Sequence, residues 1–444
     1  SQRITDRFGI DLAPTWREWF DSPASDGWLP GLMRELVTAD ELASQRPRPI
    51  WPGFMLPDTL PILGNEYGDY VCARVEPNNQ FGELIYWYHG GGDWIPVGTT
   101  IAEAVLHDAI DQFRDMRTQM IRGASESRIG KEASSLLSLD APEMKGWLAR
   151  CLPETQERTS IESAIADIIA LLSEEDYSGA LKQMLHCGWA IEAVACDLIE
   201  VNLQKPLRKI SNRDFAKACG VAWFPDFIHL LFDIESGSHQ VQEIVRGEAD
   251  RQGIPAEETV QDWQLASQLA QQILSKRTDL AWATAVQGWF QERTGDRQAA
   301  METYQRGVVA SSFTEQSVRL NSHAESEEYG KFALARLKSL IANHAECKAA
   351  VQADEYLSLL LRDHSRSILN EVSDHWQRKA KEAEADGLYD SAYRYFYASG
   401  WDMGVSRLSE YETILEGLAR NAERAGWTAR AKVAQLHLHC LLNR

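Results

Sequence analysis

The sequence predicts an α+β N-terminal domain, in which an antiparallel sheet has flanking helices, followed by an all-α region of helical repeats. Three observations support this fold class: segments near residues 70 and 84 alternate apolar and polar side chains, a helix signal begins at residue 100, and the pattern after residue 146 is helical almost throughout. We therefore expect a first domain at 1–118, a linker at 119–146 and a helical region at 147–444.

The first domain opens with a predicted helix. Pro14 suits the first turn of a helix, and Trp16, Trp19 and Phe20 then fall on one face. We expect this face to pack on the sheet. Residues 46–54 are dense in Pro and Gly, which excludes regular helix and predicts an ordered loop with buried aromatic side chains.

A β-hairpin is predicted next. Residues 70–75 alternate apolar and polar side chains, which is typical of a half-buried strand. Residues 76–82 turn the chain, and residues 84–88 return it. A third short strand at 94–97 contains Pro96, which restricts it to an edge of the sheet or to a strand end.

A helix closes the first domain. Thr100 and Glu103 have the spacing of a capping box, in which each side chain accepts a hydrogen bond from the backbone of the other residue. The helix that follows carries an apolar stripe formed by Ile101, Val105, Ala109 and Phe113.

A spacing of small residues recurs in the helical region. The steps 7, 5, 4 and 3 separate Gly288, Gly295, Ala300, Tyr304 and Gly307; the same steps separate Ala380, Gly387, Ala392, Phe396 and Ser399; and the first two steps recur at Ala419, Gly426 and Ala431. Small residues at these offsets let the two helices of a hairpin approach closely. The pattern resembles the tetratricopeptide repeat and predicts a degenerate or interrupted array, with a generic helical bundle as the alternative.

Composition and charge favour a soluble globular protein with a basic partner. Hydrophobic residues make up 44% of the chain and charged residues 25%. The net charge of -20 argues against nucleic acid as a direct ligand, because phosphate contacts need clustered Lys and Arg. Residues 1–120 carry 18 acidic residues, nine arginines and no lysine, for a net charge of -9. This charge would attract a basic partner, although a solvated acidic surface is the simpler interpretation.

We expect a cytoplasmic protein without membrane insertion. The longest nearly unbroken apolar stretch, 164–172, is too short to cross a bilayer, and no basic segment with an apolar core opens the chain. The seven cysteines are widely spread with no C-x-x-C pair, which indicates neither a disulfide framework nor a zinc site. No cofactor is predicted, and the sequence leaves the oligomeric state open.

Candidate chemical groups are few. Asp69, His89 and Asp93 could form an acid/base cluster, but no serine or cysteine at a recognisable nucleophile elbow accompanies them. His437 and Cys440 share a helix face, which supplies too few ligands for zinc. The sequence therefore predicts no catalytic residues and no metal site.

A row of acidic residues has a plain structural interpretation. Asp108, Asp111 and Asp115 are spaced at i, i+3 and i+7 and share a face of the predicted helix. We expect this face to be solvated.

Aromatic residues supply the predicted partner surface. Six tryptophans lie within the first hundred residues. Strand alternation points Tyr86 and Tyr88 away from Trp87, so one aromatic row is expected to be exposed beside acidic groups, as in protein-binding surfaces. The residues predicted to contact a partner are Glu66, Asp69, Trp87, Tyr88, Asp93 and Trp94. Asp69 has an alternative role in capping the turn at Gly68.

Four segments of the first quarter together resemble a known family. Residues 8–20 combine a proline with aromatic residues, 64–70 read Gly-Asn-Glu-Tyr-Gly-Asp-Tyr, 83–89 form a strand that ends in aromatic residues and His, and 99–110 form a helix. This order is similar to that of the SUKH superfamily, the Smi/Knr-like group of bacterial toxin-immunity proteins and fungal cell-wall regulators. The resemblance implies an α+β sheet with flanking helices and a partner-binding role, most often toxin neutralisation.

The predicted function is therefore a non-catalytic protein-binding protein of immunity or scaffold type, with a basic toxin as a candidate partner. Two alternatives remain open. One is a hydrolase that uses Asp69, His89 and Asp93 in an inter-domain cleft, and the other is a regulator of envelope or signalling assembly.

Overall fold

The computed structural model contains one five-stranded sheet and many helices. It describes residues 1–21, 29–89, 94–121, 141–155, 159–203, 260–309, 332–344, 354–362, 367–400 and 409–443, with isolated positions at 139, 243, 246, 247, 250, 251, 253 and 255. The strands are β1 Glu35–Leu36, β2 Thr59–Gly64, β3 Tyr70–Val75, β4 Phe81–Trp87 and β5 Trp94–Pro96.

The helices among the described residues fall before, between and after the strands. The first four are α1 Gln2–Phe8, α2 Pro14–Asp21, α3 Ala39–Leu42 and α4 Ile101–Ile121. Those that follow are α5 Pro142–Cys151, α6 Ile161–Ser173, α7 Tyr177–Cys187, α8 Ile191–Leu203, α9 Trp263–Leu274, α10 Ala281–Arg293, α11 Arg297–Val309, α12 Phe332–Asn343, α13 Glu355–Leu360, α14 Ser367–Ala385, α15 Tyr389–Ser399, α16 Tyr411–Arg424 and α17 Thr428–Leu442. None of these described helices is both long and apolar enough to cross a membrane.

The sheet is antiparallel throughout, with the strands in chain order from β1 to β5. The predicted hairpin and the short third strand are confirmed as β3, β4 and β5. The register aligns one residue from each strand in a row across the sheet: Glu35, Gly64, Tyr70, Trp87 and Trp94. This row lies at the end of the sheet where the turn at residues 65–69 joins β2 to β3.

The first predicted helix packs on the sheet as expected. Trp16 and Trp19 of α2 are buried, and the ring centroids of Trp16 and Phe81 in β4 are 4.6 Å apart. Aromatic burial of this size contributes a large share of a domain's apolar core.

The predicted capping box at the start of α4 is also confirmed. The backbone N of Glu103 donates to the hydroxyl of Thr100, and the backbone N of Thr100 donates to Glu103 Oε2 at 2.9 Å. The other carboxylate oxygen of Glu103 accepts a hydrogen bond from the backbone N of Ala190 at 3.0 Å. One buried carboxylate therefore caps α4 and holds the chain that enters α8.

The region after residue 140 is mostly helical in its described parts, and four of its helix pairs share one type of turn. Glycines with φ of 74–88° occupy the turns at 295, 387 and 426, and Glu175 holds the same position with φ 63°. In each turn, the residue that follows this left-handed position donates its backbone N–H to the carbonyl of the residue five positions before it. For example, the backbone N of Asp296 donates to the carbonyl of Gln291 at 2.9 Å. These hydrogen bonds satisfy carbonyls at the helix end and reverse the chain. The small-residue spacing therefore predicted real helical hairpins.

The chain divides into two compact units. The first, here called the sheet-bearing unit, contains Ser1–Val194 together with Arg366–Arg444; the second contains Ala195–Ala310 and Thr314–Ser365. The C-terminal helices α14 to α17 thus belong to the same unit as the sheet. The domain limits predicted from the sequence, 1–118, 119–146 and 147–444, stay a prediction, and most of the linker lies outside the described residues.

Candidate functional site

The turn between β2 and β3 is held by a dense set of hydrogen bonds around Asn65. The side-chain oxygen of Asn65 accepts from the backbone N atoms of Tyr67 and Asp69, both at 3.0 Å. Its backbone N donates to the carbonyl of Asp69 at 3.1 Å. Gly68 adopts φ 92°, a conformation that favours glycine. The turn is therefore fixed in shape by its own hydrogen bonds.

Asp69 joins this turn to the end of β4. Its Oδ1 accepts from the backbone N of His89 at 3.0 Å and lies 2.9 Å from the Nδ1 atom of the same residue. Its Oδ2 accepts from the side-chain amide of Asn65 at 3.1 Å. The carboxylate is thus engaged within the chain, in the capping role that the sequence allowed as the alternative to partner contact.

The predicted partner residues separate into buried and exposed groups. Glu66 is exposed, and Tyr88 is half-buried and stacked on Tyr86 with 4.5 Å between ring centroids. Trp87 and Trp94 are fully buried, with 0% exposure. The expectation that these two tryptophans contact a partner is therefore wrong, because their rings fill the core. Asp93 lies outside the described residues.

Two exposed aromatic residues were missed as candidates. Tyr67 is 54% exposed at the tip of the turn, and Trp51 is 38% exposed in the loop at residues 46–54. We expected the aromatic side chains of this loop to be buried, and for Trp51 this prediction is wrong. The position of Tyr67 between Glu66 and Gly68 could have predicted its exposure, because the central residues of a tight turn lie at the surface.

A second polar cluster lies at the opposite end of β3. Arg74 binds the carboxylates of Asp58 at 2.8 Å and Glu83 at 3.2 Å. Arg430 of α17 binds Glu76 at 3.3 Å, lies 3.7 Å from Asp58 and donates to the carbonyl of Val75. Glu76 and Arg430, 354 positions apart in the sequence, therefore share one largely buried network.

The electrostatics of this network favour the charged state of Asp58. Burial raises the pKa of the Asp58 carboxyl, but the guanidinium groups of Arg74 and Arg430 outweigh burial and hold the pKa below its ordinary value. The network contains two guanidinium groups and three carboxylates, and the buried atoms Asp58 Oδ1 and Arg74 Nε have no hydrogen-bond partner within the described part of the chain. The cluster links α17 to the sheet.

The acidic row on α4 is not the solvated face that the spacing predicted. Asp108 is 2% exposed, and its Oδ2 accepts from the backbone N of Met33 at 3.0 Å. Burial, with a smaller effect of the charge of Asp111, raises the pKa of Asp108 to about 7 against the lowering effect of the hydrogen bond from Met33. The side chain of Asp115 lies outside the described residues.

His437 is a buried structural side chain. It is 0% exposed, and its Nε2 lies 3.1 Å from the carbonyl of Thr59 in β2. Burial lowers the pKa of His437 to about 4, so the ring is neutral and donates to this carbonyl. Within the described residues, no group of three or more His, Cys, Asp and Glu side chains could hold a metal ion.

The acid/base cluster is assembled in part. Asp69 and His89 touch, and the His89 side chain is 45% exposed. The third member, Asp93, lies outside the described residues. The pair orients His89 in the way that a carboxylate orients a catalytic histidine, yet the same carboxylate is also used to fix the turn.

The candidate site in the described chain is thus the hydrogen-bonded turn at residues 65–69, in which Glu66 and Tyr67 are exposed. No protein-family model matches the chain, and neither a curated protein nor a solved structure shows significant similarity to it.

Proposed function

We propose that this chain is a non-catalytic protein-binding protein of immunity or scaffold type, whose N-terminal region acts as a SUKH-like partner-binding module. The observation that carries the proposal is the hydrogen-bonded turn at residues 65–69. It presents Tyr67, 54% exposed, beside the exposed carboxylate of Glu66.

The physical reason lies in preorganisation. A flexible loop must be ordered when a partner binds, and each immobilised side chain costs roughly 0.5–1.5 kcal/mol. The five hydrogen bonds within the turn fix its backbone in advance, so binding has to immobilise only exposed side chains such as that of Tyr67. Tyrosine is enriched among the residues that dominate binding energy at interfaces.

The charge of this region supports a basic partner. Residues 1–120 carry a net charge of -9. An acidic surface attracts a basic protein over distances of about 10 Å and speeds association. The same charge disfavours nucleic acid as a direct ligand, because phosphates would be repelled. A basic toxin is therefore our first candidate partner.

The helical hairpins support a second binding surface. Three of them have a left-handed glycine in the turn, at Gly295, Gly387 and Gly426. Hairpins of this type stack into tetratricopeptide-like solenoids, which use concave faces to bind proteins. We propose such an array here, and a cytoplasmic location that fits seven widely spread cysteines.

A hydrolase is the second candidate, favoured by the contact between Asp69 and His89 at 2.9 Å. Catalysis by this pair requires a nucleophile or water activated by the other ring nitrogen. If a hydrolytic activity is found in the purified chain, His89→Ala should abolish it. Activity that persists in His89→Ala would exclude the pair.

Capture from a lysate of the native source tests the proposal. The immobilised wild-type chain is compared with the double variant Glu66→Lys/Tyr67→Ala, and bound proteins are identified by mass spectrometry. We expect the wild type to retain a basic protein that the variant loses. The double variant Glu416→Lys/Leu442→Ala is the matched control, because it makes the same charge change and removes one exposed apolar side chain elsewhere.

The identity of the captured protein separates the remaining possibilities. A basic toxin supports an immunity role, and an envelope or signalling protein supports a regulatory scaffold. Recovery of the same proteins by the wild type and the Glu66→Lys/Tyr67→Ala variant, or of none by either, would contradict the proposal.

A further inference from the structure

Exposed aromatic side chains gather at one end of the sheet. The row across the strands places Gly64 between Glu35 and Tyr70. Because Gly64 has no side chain, the ring of Tyr70 lies over it: a Cβ atom at position 64 would come 2.7 Å from Tyr70 Cε1. The ring of Tyr70 therefore covers the start of the turn that carries Tyr67.

Trp51 joins the same group through Trp87. The ring centroid of Trp87 lies 6.3 Å from that of Trp51 and 6.4 Å from that of Tyr70. Trp87 is buried, so it forms the floor on which the other two rings rest. Among the exposed large apolar side chains of the described residues, the two aromatic ones are Trp51 and Tyr67, and both occur at this end.

Acidic groups surround these rings. Glu35 is exposed, and Glu66 is exposed next to Tyr67. Glu41 is close enough to Tyr70 to raise the pKa of its hydroxyl, after the larger effect of burial and the effect of Glu35. Two basic residues are nearby. Arg48 lies 3.7 Å from Glu41, with a side chain that is 94% exposed. Arg34 is exposed beside Glu35, and its backbone N donates to the carbonyl of Gly64 at 2.9 Å.

We propose that this surface, formed by Trp51, Tyr67 and Tyr70 with Glu35 and Glu66 at its rim, binds an arginine-bearing basic segment of the partner protein. We call it the aromatic patch. The inference rests on the proposed protein-binding function and names the chemistry of its partner. Arginine fits because its planar guanidinium stacks on aromatic faces and forms paired hydrogen bonds with carboxylates. An entering guanidinium can also replace the exposed Arg48 beside Glu41.

Binding of a labelled oligoarginine peptide to the purified full chain, followed by fluorescence anisotropy, tests the aromatic patch. An exposed cation–π contact is worth roughly 0.5–1 kcal/mol, so we expect Tyr67→Leu and Trp51→Leu each to weaken binding about 2- to 5-fold. Tyr67→Phe keeps the ring and should bind like the wild type. These substitutions leave the net charge unchanged, so non-specific attraction to an acidic chain cannot produce the difference.

The controls define the outcomes. Leu388→Ala removes an exposed apolar side chain elsewhere in the sheet-bearing unit and should leave oligoarginine affinity unchanged. An oligolysine peptide of equal length should bind the wild type more weakly than oligoarginine. If Tyr67→Leu and Trp51→Leu bind oligoarginine as tightly as the wild type, the aromatic patch does not recognise arginine.

The peptide measurement tests the aromatic patch, and the lysate capture tests the protein-binding function, so one hypothesis can be contradicted without the other. If Tyr67→Leu captures the same basic partner as well as the wild type does, while Glu66→Lys/Tyr67→Ala loses it, the protein-binding function stands and the assignment of the patch is wrong. If the wild type captures no protein, the proposed function is wrong, while the peptide measurement still decides whether the patch recognises arginine.

Discussion

Asp108 is a carboxylic acid whose neutral form is favoured by burial inside the sheet-bearing unit. It is 2% exposed, and burial raises its pKa from an ordinary 3.8 to about 7. Between these pH values the folded chain keeps a proton that the unfolded chain has lost. The stability from this proton is fully present below the unfolded pKa and is lost as the pH rises through about 7.

Substitution of Asp108 with Asn should remove this dependence. We expect the contribution of Asp108 to the free energy of unfolding to fall by about 1.4 kcal/mol per pH unit between about pH 4 and pH 7. The Asn side chain in Asp108→Asn does not titrate, but its oxygen can still accept the hydrogen bond from the backbone N of Met33. Urea unfolding at a series of pH values measures the slope. Equal slopes for wild type and Asp108→Asn would contradict the assignment.

His437 has the opposite dependence. Burial lowers the pKa of His437 from 6.5 to about 4. Between these pH values the imidazole is protonated in the unfolded chain and neutral in the folded chain. Its stability contribution is present above about pH 6.5 and is lost as the pH falls toward about 4. We expect His437→Gln to flatten the acid side of the unfolding curve, because Gln can donate to the carbonyl of Thr59 without titrating. His439→Gln, exposed on the same helix, should change nothing.

Burial of individual residues was the part that the sequence predicted least well. Strand alternation places Trp87 and Tyr86 on opposite faces, but it does not tell that both faces are covered here: Tyr86 is 5% exposed and Trp87 0%, so the expected exposed aromatic row does not include them. The turn at Asn65–Asp69 was predictable because its Gly and Asp residues act locally. Asp108 was misassigned because the backbone that covers it, at Met33, lies 75 residues away in sequence.

At the scale of elements, the helical hairpins depend on two different uses of glycine. Gly387 has φ 74° in its turn, and a Cβ atom there would meet nothing within 4 Å. Gly288 lies inside α10, where a Cβ atom would come 2.3 Å from Tyr304 Cε1 of α11. The first glycine is needed for backbone conformation, and the second for close helix packing.

Alanine substitutions should distinguish these two uses. We expect Gly387→Ala to cost about 1–2 kcal/mol from left-handed backbone strain, and Gly288→Ala to cost about 1–3 kcal/mol from overpacking against Tyr304. A second change, Tyr304→Leu, should reduce the cost of Gly288→Ala by making room, but it should leave the cost of Gly387→Ala unchanged. Chemical denaturation followed by circular dichroism measures each cost. A Gly288→Ala cost that is independent of residue 304 would refute the packing explanation.

The hairpins were predictable because their signal is local. The step of seven from a small residue to the turn glycine places the glycine at a helix end, whatever surrounds it. How successive hairpins stack depends on contacts between residues far apart, which the spacing does not encode. The sequence therefore predicted the pairs of helices and left their assembly as a proposal.

At the scale of the whole molecule, the C-terminal helix completes the unit that contains the sheet. On α17, Arg430 joins Asp58, Glu76 and the carbonyl of Val75, and the backbone N of Ala429 donates to the side chain of Asn79 at 2.8 Å. The two partners of each contact are separated by more than 340 residues. No periodicity in either segment predicts them, which is why the sequence assigned α17 to a separate helical domain.

Arg430 should therefore be among the residues most sensitive to substitution in the sheet-bearing unit. Arg430→Met keeps the aliphatic bulk but leaves the buried Asp58 with Arg74 alone. The substitution also removes the charged donor to the carbonyl of Val75, and because Asp58 keeps Arg74, we expect a loss of about 1.5–3 kcal/mol in the free energy of unfolding. Arg394→Met makes the same chemical change at an exposed position of α15 and should stay within about 0.5 kcal/mol of the wild type. Comparable stabilities for the two variants would show that α17 does not hold the sheet through Arg430.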